Sequence, residues 1–253
     1  MIIALLSFSI TLAVIAYVEN TDASWLNAVD AIIAVGLGTT LFIMILRQRL
    51  NINSAFTILV LFSIGYSFLR NWIFAPTLSV ISQQMTPLYE SYMQRFPALK
   101  FNKDSVAWIQ NFMQVYQPAI WGSIQTSAVF LGFLLFNRTS LLKQQIRMIQ
   151  FPYYLVFLMM IALALSLNHA TRTWGINLLV CMSVAYLIQG TAVMSFVWGD
   201  FFAKAKLLRT FLIMTIIINY PVLILISLIG LLDVWFDFRK LTFKEEKHES
   251  DIN

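Results

Sequence analysis

The sequence predicts an all-α integral membrane protein of about seven transmembrane helices, with an amphipathic helical insert between the third and the fourth. Three observations predict it. Of 253 residues, 59% are hydrophobic and 11% charged, where soluble domains carry about 25% charge. So few charges cannot cover that much apolar surface in water, whereas lipid can serve as its solvent. The apolar residues gather into seven long runs almost free of charge, and the 47-residue stretch 70–116 does not join them. The chain reads as one polytopic domain over 1–253, with the insert at about 76–116 and a short polar tail at 240–253.

The predicted spans are 1–18, 25–46, 54–73, 117–136, 151–168, 174–197 and 210–232. Each approaches the roughly 20 apolar residues that a bilayer requires. Helix is the form expected of all seven, because a strand or loop facing lipid leaves its peptide groups unpaired. The first run lacks the basic start and small-residue cleavage site of a signal peptide, so a retained helix is expected. The seventh contains Pro221, which leaves two readings. A kinked single span is preferred, since membrane helices tolerate proline. The alternative breaks the run into a re-entrant hairpin of two halves, each roughly 16 Å long.

Loop charge predicts sidedness. Arg47 and Arg49, then Arg138, Lys143 and Arg147, then Lys204, Lys206 and Arg209 occupy the even-numbered connections, while the first holds Glu19 and Asp22 with no cation. Basic loops stay cytoplasmic, and the N-terminus with them. The insert then faces outward. Seven crossings place the tail outside too, against its Arg239, Lys240, Lys244 and Lys247; the hairpin would return it.

Within the insert, Thr86-Pro87 reads as a helix start, with Leu88, Tyr89, Tyr92, Met93 and Phe96 on one face and Pro97 as the stop. A second helix is expected from near Asp104, with Val106, Ile109, Phe112, Met113 and Tyr116 in an apolar stripe. Such helices seal a bundle, cap a cavity or dock a partner.

Polar groups at bilayer depth need a reason. Asp30 is expected near the outer face, within reach of Arg70 or Arg172. Gln125, Asn177, Gln189 and Asn219 lie deeper. Their readings are interhelical hydrogen bonds or a mid-depth cavity for a small molecule. For the cavity, Gln189-Gly190 ranks first because glycine admits close approach, and Asn219 ahead of Pro221 second. Asp233 and Asp237 share a face where acids oppose the helix dipole. Either the helix ends near Gly230, or Arg239, Lys240 or a basic loop neutralises them. Cys181 is the sole cysteine, and His169 and His248 are the only histidines. No catalytic or phosphate-binding motif is present, so neither enzymatic activity, nor a cofactor, nor a metal, nor nucleic acid is expected.

Gln189-Gly190, a basic loop, a last span with Pro221 and the ending Gly-Leu-Leu-Asp-Val-Trp-Phe-Asp-Phe-Arg at 230–239 resemble the YybS-like family of bacterial multi-pass membrane proteins of unknown function. The insert ahead of a span opening with Pro118 fits as well. The resemblance implies the bacterial cytoplasmic membrane. The general form is similar to the membrane components of energy-coupling transporters, which implies a small-molecule substrate and an ATPase partner. The other reading is a scaffold docking cell-envelope proteins.

Overall fold

A computed structural model describes residues 2–18, 23–48, 51–95, 103–137, 146–204 and 219–240. The helices are α1 (Ile2–Val18), α2 (Ser24–Arg47), α3 (Ile52–Ile73), α4 (Ala75–Arg95), α5 (Lys103–Val115), α6 (Gln117–Asn137), α7 (Tyr154–Leu167), α8 (Arg172–Lys204) and α9 (Tyr220–Phe236). Among the described residues there is no strand. Among the described residues, four helices are long and apolar enough to cross a membrane: α2, α3, α6 over Gln117–Leu135 and α8 over Arg172–Trp198. The helices α1, α7 and α9 are apolar but shorter, at 17, 14 and 17 residues.

Hairpins organise the first half. Ser9 of α1 faces Gly36 of α2, and Phe42 of α2 meets Phe56 of α3 edge to face at 4.9 Å. Phe56 in turn meets Phe133 of α6 at 5.4 Å, which centres the core on three rings. Outward faces stay apolar, with Leu135 70% and Leu167 81% exposed, a surface suited to lipid. The middle of α2 departs from α-geometry: Ala31–Gly38 forms a π-helix. Such wide turns are rare and usually brief, and nothing in the α2 sequence signals this one.

The insert grows out of its flanking spans. α3 passes into α4 through the single residue Phe74, with Phe74 N–H bonded to Arg70 O and Leu78 N–H to Phe74 O. Pro76 follows. α5 passes into α6 through Tyr116 in the same way, with Pro118 two residues on. Each proline is the second residue of the new helix, where its missing N–H costs no intrahelical bond. The expected helix start at Thr86-Pro87 is therefore corrected. The start is Ala75-Pro76, where proline costs no hydrogen bond, and Pro87 lies inside α4. α5 begins at Lys103, close to expectation.

The seventh run is also corrected. Asn219 is extended, at φ −106° and ψ 93°, and α9 begins at Tyr220 with Pro221 in its first turn. A kinked continuous span would run antiparallel to α8. Instead Ser227 bonds Ser183 O, Gly230 abuts Tyr186 and Asp233 bonds Gln189, every pair 44 residues apart. A constant offset means that α8 and α9 are parallel. The chain leaves α8 at one end and re-enters at Asn219 toward the other. This direction is that of the broken-run reading, but α9 has 17 residues, more than a half-run, and the other half of the expected hairpin lies outside the described residues. Ile2, Arg47, Arg147, Lys204 and Lys240 thereby gather at one end, called basic below, and Asp30, Arg70 and the insert at the opposite end.

The expected stop at Pro97 and the loop groups Glu19, Asp22, Arg49, Arg138, Lys143, Lys206 and Arg209 lie outside the described residues. So do 205–218 and the tail beyond Lys240.

Candidate functional site

The residues picked out by sequence divide among separate places. Gln189, Gly190, Gly230, Asp233 and Arg239 come together at the basic end. A Cβ on Gly190 would fall on the carbonyl oxygen of Ile226, and one on Gly230 on that of Tyr186. Each glycine thus faces the backbone four residues before the other, and the two helices touch main chain to main chain. That closeness seals Gln189 and Asp233 completely. Gln189 Nε2 donates to Asp233 Oδ2 at 2.9 Å, and Gln189 Oε1 accepts from Phe151 N–H at 2.9 Å. Arg239 reaches back to Asp233 Oδ2 at 2.5 Å and donates to Arg147 O at 2.7 Å. The helix does not end at Gly230; the second reading holds, and Arg239 neutralises Asp233. Asp237 caps the helix in the left-handed region at φ 40°, a conformation Asp tolerates better than most residues. Asp233 Oδ1, Arg239 Nε and the Tyr186 hydroxyl are buried here without a protein partner.

At the opposite end Asp30 pairs with Arg70, not Arg172. Arg70 Nε lies 2.9 Å from both carboxylate oxygens, and its Nη2 lies 2.8 Å from Oδ2. The Tyr66 hydroxyl donates to Oδ1 at 2.7 Å. The guanidinium also stands 5.3 Å from the centre of the Trp121 ring, a cation–π distance. Sequence flagged Asp30 and Arg70 but missed Tyr66 and Trp121, whose partners lie on other helices.

Gln125 donates to Ala34 O at 3.3 Å, inside the π-helical turn. Asn219 is exposed at the start of α9 and accepts from Val222 and Leu223 N–H through its carbonyl. Gln189, Asn219 and Gln125 therefore lie apart, and none of them lines either of the two clefts described below. The amide oxygens of Gln189 and Asn177 accept from Phe151 N–H and Ala119 N–H, each next to a proline. Asn177 accepts from Ala119 N–H at 2.9 Å and donates to Val115 O at 3.0 Å, clamping both sides of the Tyr116 joint.

A larger opening lies beside that joint. A cleft of about 700 Å³ runs between the insert and the ends of α3, α6 and α8, within the range of about 300–1,000 Å³ typical of small-molecule sites. Phe68 and Trp174, stacked at 5.5 Å, form one wall. The amides of Asn71, Asn111, Gln114 and Gln117 form the upper lining. Among the described residues, no charged side chain lines it. A smaller cleft of about 300 Å³ at the basic end is lined by Asn53, Thr57, Tyr153 and Val234 among others.

No family model matches this chain, and neither curated proteins nor solved structures give a match. The fold and its clefts define a helical protein whose apolar helices suit a membrane.

Proposed function

We propose that this chain is a non-enzymatic multi-pass protein of the bacterial cytoplasmic membrane that binds a small molecule between its insert and its bundle, as a transport component. The observation that carries the reading is the 700 Å³ cleft, walled by stacked aromatic rings and lined by amides. Apolar walls with a few placed polar groups are the usual make-up of a ligand site. The basic end is cytoplasmic, because Arg47, Arg147, Arg239 and Lys240 gather there. An ATPase partner would meet that end. The location agrees with the resemblance to the YybS-like family.

Native mass spectrometry of the gently purified protein tests this. A stoichiometric small ligand is expected, and an empty protein in repeated preparations would overturn the reading. The scaffold alternative draws on α5, where Trp108, Phe112 and Met113 are 64%, 40% and 47% exposed. It predicts a stoichiometric co-purified protein and no small ligand.

A further inference from the structure

The lining of the cleft narrows the class of ligand, provided the binding reading above holds. Its upper part offers amide donors and acceptors from Asn71, Asn111, Gln114 and Gln117, with no charge among the described lining residues. The nearest buried cation, Arg70 behind Trp121, is already held by Asp30. An ionic head placed there would shed part of its hydration without meeting a counter-charge among the described lining residues, which disfavours it. An uncharged head rich in hydroxyl or amide groups meets no such penalty.

The lower part is different. The lining continues down α6 through Ile120 to Ile124, about 10 Å below Gln117 at helical rise. Ile124 is 63% exposed on the outer face of the helix. The cleft therefore opens sideways, at its apolar end, onto the surface that suits lipid. Trp72 and Trp108, 73% and 64% exposed, stand at the same end of the molecule, the level where aromatic side chains meet headgroups.

We infer that the ligand is an uncharged amphiphile entering from the bilayer, its polar head under the insert and its apolar chain along Ile120 and Ile124. The probes are galactosyl diacylglycerol, phosphatidylglycerol and free galactose, each offered to the full-length detergent-solubilised protein and read by native mass spectrometry. Galactosyl diacylglycerol is expected to form a one-to-one adduct at about tenfold higher occupancy than phosphatidylglycerol, a difference of one decade in affinity. Free galactose is expected to form none. Ile124→Trp, at an exposed position, should lower the lipid adduct about tenfold while leaving the melting temperature unchanged.

Equal or higher occupancy by phosphatidylglycerol would overturn the uncharged head. Free galactose bound as well as the lipid would overturn entry from the bilayer and leave the cleft reading standing. An adduct indifferent to Ile124→Trp would be peripheral lipid and would overturn the assignment to the cleft. No adduct with any probe overturns the inference alone if the untreated protein still carries a small ligand, and both readings if it does not.

Discussion

Gly190 and Gly230 have no room for a methyl group, because a Cβ on either would meet a main-chain carbonyl that cannot swing aside. Gly190→Ala or Gly230→Ala should force α8 and α9 apart and destabilise the protein by about 1–3 kcal/mol or more, read as a lower melting temperature in detergent. The ion pair that this contact buries behaves differently. Asp233→Asn or Arg239→Met alone leaves a buried charge unpaired and should cost about 3–5 kcal/mol. Replacing both with apolar residues should recover most of that loss, since no charge is then buried. A double-mutant cycle on thermal unfolding checks it; additive losses would contradict the pairing. Sequence exposed the ingredients here and not the arrangement. Gln189-Gly190 and the 230–239 ending stood out, and Arg239 was one of three candidates to neutralise the acids. Arg147 looked like a loop charge alone, because its part is played by a carbonyl that every residue possesses.

Among elements, the apolar runs were the most legible, since length and hydropathy alone define them. Boundaries agreed closely where polar loops interrupt the runs, as at Ile52–Ile73 against the expected 54–73. Prolines misled because one residue type both starts helices and bends them. Pro87 sits inside a helix, while Pro76 and Pro118 stand at the joints where spans become insert. The π-helix of α2 escaped notice for a related reason: Ala31–Gly38 carries ordinary span residues, and the widening shows only in its hydrogen bonds. Asn177 supplies the test at this scale. Asn177→Leu strips Ala119 N–H of its buried partner, a loss of about 1–3 kcal/mol, and frees the α5–α6 joint. Amide hydrogen exchange over 103–120 should quicken relative to α3 and α8. Unchanged protection would mean that Asn177 does not hold the joint.

The parallel pairing of α8 and α9 decides the form of the whole molecule. It gathers the first and last described residues at the basic end and leaves the insert, with its cleft, at the other. Charge counting already hinted that the tail belonged with the basic loops, but the number of crossings argued the reverse. Sequence could not choose, because a proline-kinked span and a broken run share the same residues; only the contacts of Ser227, Gly230 and Asp233 distinguish them. Cys181 is the single cysteine and is buried, so an introduced thiol can report alone. The direct test of this architecture is labelling by a membrane-impermeant maleimide in cells producing the protein, with Asn111→Cys in the cleft and Lys240→Cys at the basic end. Asn111→Cys should label in intact cells and Lys240→Cys only after permeabilisation, whereas labelling of both from the same side would contradict it.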